Sequence, residues 1–262
     1  MKVNFGNVAK NYARFRNDLP IELLESLKLR GINFNNKNVA DLGSGTGVLS
    51  RALYREGAVV VGVEPSNELI QEAKEIDKNE GYMIKYVHAF SESTTLLEDT
   101  YDYITVLRAW HWFDSDKTLT EIKRILKDNG SLIVMDSGFL SKNKVIVDTL
   151  EIIKGHMPNG KLKSAGSKAN SKQVINGFPV EWFKEWQEHQ FDLQETYKFT
   201  YNVTFTNEEW CGRVGSLSWL SGFDENERNK ILDKIYSHLN KEFKGIKHNI
   251  LHGCYITVLS RL

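Results

Sequence analysis

The sequence predicts an α/β fold built on a doubly wound parallel sheet. Two features carry that expectation. Over Asn38–Ser50, N-V-A-D-L-G-S-G-T-G-V-L-S, a short apolar run gives way to Gly43, Gly45 and Gly47, and then to a helical pattern with Val48, Leu49, Ala52 and Leu53 on one face. That order of strand, glycine turn and helix opens a βαβ unit. From Asp41 to Asp136, five strand-like runs alternate with helical ones, and right-handed crossovers join such runs into a parallel sheet. The 262 residues suffice for one sizeable α/β domain with an elaboration, or for two small domains.

Glycine takes positive φ without strain and lets a ligand lie against bare peptide N–H groups. The helix that follows aims its first N–H groups and positive dipole end at the same place. Dinucleotide-binding turns read G-x-G-x-x-G, with a pyrophosphate on the helix N-terminus. Here the spacing is G-x-G-x-G, and Asp41 stands two residues before the first glycine. A carboxylate there would repel a pyrophosphate and suits a ligand with an ammonium or sulfonium group. V-A-D-L-G-S-G-T-G resembles the first motif of class I S-adenosylmethionine (SAM) dependent methyltransferases. The resemblance implies SAM as cofactor, with Asp41, Gly43, Ser44 and Gly45 at its site. It also implies a Rossmann-like sheet of seven strands, the first central and the last antiparallel, with a helical cap over the active site.

Before the glycine turn, Val8, Tyr12 and Phe15 share one helical face. Tyr12 and Arg16 match a Y-x-x-x-R element found near the N-terminus of small-molecule members of the class, where it folds over the SAM site. Pro20 then begins a helix at a favoured position. Leu23, Leu24 and Leu27 give that helix a core face and Gly31 stops it.

After the turn, the helix from Val48 ends at Gly57, and the strand A-V-V-V-G-V runs into Glu64. An acid about 20 residues past the turn, at the end of the second strand, stands where a ribose diol is held. Pro65 and Ser66 complete that corner as cofactor contacts, and Ser66 can cap the helix of Leu69, Ile70, Ala73 and Ile76. The third strand, 83–88, ends in Ala89-Phe90-Ser91-Glu92. The resemblance puts the adenine against this turn, with Phe90 and Ser91 in contact.

The fourth strand, 101–107, runs into Arg108-Ala109-Trp110-His111-Trp112-Phe113-Asp114. Carboxyl ends of parallel strands line the ligand crevice in open α/β sheets, so an Arg, a His and several aromatics fall beside the methyl donor. Aromatic faces attract a sulfonium as they attract ammonium groups. Arg108 sits at the cofactor's edge and can pair with a substrate carboxylate. His111 is the candidate catalytic residue, taking a proton if the nucleophile is a neutral hydroxyl or amine. Trp110 and Trp112 are expected at the substrate. A-W-H-W-F-D resembles a segment of the trans-aconitate methyltransferase-like subgroup. Asp114 or Ser115 caps the next helix, with Leu119, Ile122, Ile125 and Leu126 facing the core, and the fifth strand is S-L-I-V-M-D.

From residue 137 the pattern loosens. Residues 143–154 read as a helix. Gly155–Lys172 reads as a polar, mobile loop whose lysines, Lys161, Lys163, Lys168 and Lys172, are solvated. Trp182, Phe183 and Trp186 fall at helical spacing. Residues 191–205 alternate as a sixth strand, and T-N-E-E from Thr206 begins a capping box for a helix expected to hold Trp210, Arg213, Val214 and Leu217 and to extend to Trp219. F-T-x-E-E-W-x-G-R-V-x-S-x-S-W-L resembles the cap of the same subgroup, which implies Arg213, Ser216 and Trp219 as substrate contacts. A helix over 224–242 precedes the last strand, Cys254–Leu259.

The domain reading is a single methyltransferase domain over 1–262: a SAM-binding core at 36–137, cap and substrate elements at 1–30, 138–190 and 206–242, and remaining strands at 191–205 and 254–260. Lys+Arg and Asp+Glu both number 34, and this balance argues against a broad electrostatic grip on nucleic acid or anionic membrane. The two cysteines, Cys211 and Cys254, cannot form a disulfide framework or a metal site alone. No run is long enough to span a bilayer and no signal pattern opens the chain, so the expected location is cytoplasmic. The expected partner is a small-molecule acceptor, methylated on oxygen, nitrogen or carbon. Three alternatives stand beside it: a nucleic-acid methyltransferase, disfavoured because no [DNS]-P-P-[YFW] follows the fourth strand; an NAD-dependent oxidoreductase, disfavoured by Asp41 and the glycine spacing; and a SAM-binding regulator without turnover.

Overall fold

The computed structural model describes residues 19–140, 143–162 and 166–262; Tyr12 and Arg16 lie outside them. The elements in chain order are α1 (Glu22–Lys28), β1 (Asn38–Leu42), α2 (Val48–Arg55), β2 (Val59–Glu64), α3 (Asn67–Glu80), β3 (Lys85–His88) and β4 (Tyr101–Leu107). Then come α4 (Ser115–Ile125), β5 (Leu126–Phe139), α5 (Lys144–Lys154), the short pair β6 (Val174–Ile175) and β7 (Phe178–Pro179), and α6 (Val180–Glu188). The chain closes with β8 (Phe191–Phe205), α7 (Asn207–Gly215), α8 (Glu225–Glu242) and β9 (His248–Arg261).

Seven strands form one sheet in the order β3-β2-β1-β4-β5-β9-β8. β1 pairs in parallel with β2 and with β4, β2 with β3, and β4 with β5. β9, last in the chain, enters between β5 and β8 as the antiparallel strand. Chain order reverses direction across the sheet at β1 and β4, which places the switch point beside the glycine turn. Val39, Ala40, Asp41 and Leu42 are all buried, as a central strand covered by helices on both faces requires.

Helix starts follow the local chemistry. Ser66 Oγ accepts the N–H of Leu69 at 3.3 Å and caps α3. Asp114 does the same for α4 through Lys117 N–H at 3.4 Å. Thr206 and Glu209 form a reciprocal capping box on α7. Such caps satisfy N–H groups that have no intrahelical partner.

The chain divides into two compact units. The first comprises 19–137, 166–199 and 254–262. Its core sets Leu42, Ile104, Val106 and Val134 of the strands against Leu119, Ile122 and Ile125 of α4. An aromatic nest belongs to the same core: the Trp110 ring lies 5.8 Å from Trp186 and 6.5 Å from Trp182, and both also face Phe178. The second unit covers 138–165 and 200–253. Its core gathers Val145, Ile146, Trp210, Val214, Ile231, Ile235 and Leu239. Trp210 Nε1 donates to Thr149 Oγ1 at 2.9 Å there.

Several boundaries differ from the sequence reading. β3 begins at Lys85, because Gly81 in a left-handed cap (φ +79°) ends α3 and leaves Met83 84% exposed. β5 and β9 each run 14 residues, well beyond the apolar runs that announced them. Residues 19–30 and 166–190 belong to the sheet unit, where the sequence reading assigned them to the cap. α7 ends at Gly215, so Leu217 and Trp219 lie past the helix; Trp219 stands in a 3-10 turn, Ser218–Leu220. Among the described residues no helix is long and apolar enough to cross a membrane.

Candidate functional site

The glycine turn is built where only glycine fits. Gly43, Gly45 and Gly47 hold φ of +68°, +56° and +78°, a region that costs other residues about 1–2 kcal/mol. A Cβ on Gly43 would lie 2.5 Å from Ala109 Cβ and 3.2 Å from the Phe113 ring, so the turn packs directly against the segment after β4. The N–H groups of Gly43 and Ser44 donate to Val63 O at 2.8 and 3.1 Å.

Asp41 is 1% exposed. Its Oδ2 accepts from Ser50 Oγ at 2.6 Å and its Oδ1 from Thr105 Oγ1 at 3.1 Å. The carboxylate therefore ties β1 to α2 and to β4 from a fully enclosed position. Burial pushes its pKa up to about 7, against those two hydroxyl bonds and with the nearby charge of Glu64 adding to the rise. The acid expected to face a cationic ligand thus has both oxygens already engaged by hydroxyl donors.

Glu64 closes β2 at the same end of the sheet. Its Oε2 accepts the N–H of Gly45 at 2.9 Å and its Oε1 the N–H of Ser66 at 2.9 Å. One carboxylate therefore braces the glycine turn and the start of α3 together. Burial raises its pKa and the two backbone bonds oppose the rise. Each oxygen keeps acceptor capacity beyond its one amide.

The corner after β3 divides its labour. Phe90 is 57% exposed, whereas Ser91 is buried. Ser91 Oγ lies 3.0 Å from Thr118 Oγ1 and 3.2 Å from Glu92 Oε2, and Glu92 Oε1 accepts the N–H of Asp114 at 2.9 Å. The Ser91 hydroxyl is thereby spent on anchoring the corner to the start of α4, and Phe90 is the more exposed side chain of the two.

Past β4, Arg108 adopts φ +58° and donates its N–H to Met135 O at 2.9 Å. A non-glycine residue held in this region is strained, and such strain clusters at ligand sites. Trp110 turns inward to the aromatic nest and is 2% exposed, so its bulk fills the core. His111 and Trp112 are half-buried, with ring centres 4.8 Å apart. A 3-10 turn, Gly166–Asn170, sits against them: Ser167 Oγ donates to His111 O at 3.4 Å. Lys168, expected as a solvated loop cation, is instead paired with Asp136 and largely covered. Burial lowers its pKa to about 8.

The sheet unit thus brings Asp41, Gly43, Ser44, Gly45, Glu64, Pro65, Ser66 and the Arg108–Trp112 segment to the carboxyl ends of β1, β2 and β4. Arg213, Ser216 and Trp219 belong to the second unit. Arg213 and Ser216 are buried there, with Ser216 Oγ donating to Arg213 O at 2.6 Å, and the Trp219 ring lies 6.3 Å from Phe139. Sequence reading missed Ser50 and Thr105, the donors to Asp41, and it missed Asp136. Gly62 was legible as a gap in an apolar strand: a Cβ there would lie 2.7 Å from the Tyr86 ring and 2.8 Å from Ser44 Oγ.

The residues present suit SAM. Ser44 Oγ and Thr46 Oγ1 are buried without a partner among the described residues, which is costly unless a ligand or water completes them. The glycines keep the turn free of side chains, and Glu64 offers acceptors for a ribose diol.

Residues 40–134 match a family described as a methyltransferase domain. The chain spans about half the length of several curated relatives that it matches. Among them is an uncharacterized methyltransferase of Mycobacterium tuberculosis, 29% identical over 132 residues, 50% of this chain and 51% of the relative. A ubiquinone biosynthesis O-methyltransferase of Pasteurella multocida is 25% identical over 236 residues, 84% of this chain and 94% of the relative. A SAM dependent methyltransferase from Aquifex aeolicus shares the fold with a TM-score of 0.53 at 13% identity, covering 98% of this chain and 99% of that one. The fold is the Rossmann-like class I methyltransferase fold, and residues 40–134 carry the likeness to a methyltransferase domain.

Proposed function

We propose that this chain is a SAM-dependent methyltransferase acting on a small-molecule acceptor. One observation carries the reading: the Glu64 carboxylate stands at the carboxyl end of β2, bonded to the backbone of the glycine turn and aligned with it through Gly45 N–H. That is the arrangement a ribose requires beside a turn that receives the rest of the cofactor.

SAM supplies a methyl carbon already activated by its sulfonium. The protein's residues bind, orient and exclude water. The Gly43–Thr46 turn gives a bare backbone surface with two buried hydroxyls. Glu64 accepts from the ribose, with Pro65 and Ser66 shaping the corner, and Phe90 covers the adenine. Arg108, fixed in its left-handed conformation, and Trp112 border the donor on the β4 side. Alignment of donor and acceptor by such a frame is worth up to ~7–11 kcal/mol.

The resemblance of A-W-H-W-F-D to the trans-aconitate methyltransferase-like subgroup supports an acidic acceptor. A carboxylate nucleophile needs no base, and Arg108 offers it a cation. A phenolic acceptor is the second reading, favoured by the likeness to the ubiquinone biosynthesis O-methyltransferase across most of both chains; His111 then takes the phenol proton. Incubation with methyl-labelled SAM over panels of carboxylic acids, phenols, amines and oligonucleotides tests the proposal. Label in a carboxylic acid or phenol supports it. Label in nucleic acid alone, or in nothing, contradicts it.

A further inference from the structure

A covered ion pair, Asp136 with Lys168, stands level with the carboxyl end of β4. Asp136 follows Met135, whose carbonyl accepts the N–H of Arg108, so the pair is level with the first residue past β4. Asp136 Oδ1 accepts the N–H of Ser137 at 2.8 Å, and Oδ2 meets the Lys168 ammonium. The two side chains keep only 14% and 25% of their surface.

Lys168 reaches this place from a built seat. Gly166 holds φ +53°, and a Cβ there would run into the carbonyl of His111. Ser167 Oγ donates to that carbonyl and accepts from Trp182 Nε1 at 3.2 Å. Lys168 Nζ lies 5.8 Å from the centre of the Trp182 ring. Ion pairs this covered contribute little net stability, because desolvation offsets their attraction. Placement level with the carboxyl end of β4, where ligands of open α/β sheets bind, gives the pair a different use.

We propose that Asp136 and Lys168 set the discrimination between the cationic methyl donor and its neutral product. Asp136 attracts the sulfonium, and Lys168 is the counter-charge that positions and tempers Asp136. This rests on the SAM reading above. SAM and S-adenosylhomocysteine (SAH) differ only at the sulfur, where one carries a methyl group and a positive charge. A fixed charge near that atom therefore shifts the ratio of their affinities, because its effect on the charged groups the two share cancels in the ratio. In a partly covered site such a charge acts over several ångströms with incomplete screening.

The test is competition titration of SAM and SAH, at about pH 7, on the wild type, Asp136→Asn, Lys168→Met and Lys168→Arg. Asp136→Asn should weaken SAM relative to SAH by about fivefold. Lys168→Met should strengthen SAM relative to SAH by a similar factor, and Lys168→Arg should keep the wild-type ratio. Partial unfolding of a variant scales both affinities alike, so the ratio still reads out the charge. A ratio constant within twofold across all variants, or moving the same way in Asp136→Asn and Lys168→Met, overturns the inference. A wild type that binds neither ligand overturns the SAM reading itself, which is a separable result.

Discussion

Glu64→Ala removes a carboxylate that accepts one N–H from the glycine turn and one from the start of α3. From the sequence alone, this acid reads as a ribose ligand whose loss has little effect on folding. The structure gives it a second role, and the two roles have separate magnitudes. Truncation leaves Gly45 N–H and Ser66 N–H without their acceptor. A buried donor left unsatisfied costs ~1–3 kcal/mol. The Gly45 bond is buried and the Ser66 bond only partly so, which sets the expected loss of folding stability at about 2–4 kcal/mol. On the cofactor side, two hydroxyl bonds to a charged acceptor are lost at ~1.5–3 kcal/mol each, so SAH affinity should fall at least tenfold. Glu64→Gln keeps one acceptor oxygen and should lie between wild type and Ala on both scales. Urea denaturation reads the first effect and calorimetric titration with SAH the second. An unchanged SAH dissociation constant beside a clear loss of stability would refute the ribose role. Full stability beside lost binding would refute the bracing role.

Asp41→Asn should change how stability depends on pH. Burial lifts the folded pKa to about 7 from 3.8, so the stability this acid contributes is complete below its unfolded value and is lost as pH rises through about 7. Unfolding free energies at about pH 5 and about pH 8.5 should show the wild type losing stability relative to the Asn variant; parallel profiles would contradict this. Gly43→Ala forces a Cβ onto Ala109 at a left-handed φ and should cost about 1–3 kcal/mol in denaturant titration, with weaker SAH binding; a fully stable variant would show that the turn yields easily. His111→Ala should lower kcat by roughly 10²–10⁴ with a hydroxyl or amine acceptor and leave the chemical step nearly intact with a carboxylate; the opposite pattern in steady-state kinetics would remove His111 from the proton path.

The parts of this fold that were legible in the sequence are those written in local chemistry. Ser66, Asp114 and Thr206 cap the helices that their side chains announce. The three glycines take the positive φ values that their spacing demands. β9 was read too short because its buried face carries histidines: His248, Ile250, His252, Cys254, Ile256 and Val258 are all buried in a period of two. Imidazole counts as polar in a pattern, yet His252 is accommodated by a bond between its Nδ1 and Ile250 O at 2.9 Å. β5 reads short in the sequence because Gly130 looks like the stop of the preceding helix, whereas that helix ends at Ile125 and the strand runs on through Gly130. At the site, the ribose acid and the glycine turn were visible as spacings. The Lys168–Asp136 pair was not, because it joins residues 32 positions apart through a turn with no periodic pattern. Trp110, Trp182 and Trp186 presented one further ambiguity: apolar spacing does not distinguish a pocket wall from a core, and the structure puts all three in the core.

In the proposed function, the turn at Gly43–Gly47 and the acid at Glu64 together hold SAM. Calorimetric titration of the purified protein with SAH tests it most directly, with NAD titrated in parallel. Saturable SAH binding is expected in the micromolar range, on the order of −8 kcal/mol, with no saturable heat from NAD. Absence of SAH binding together with saturable binding of NAD would contradict it.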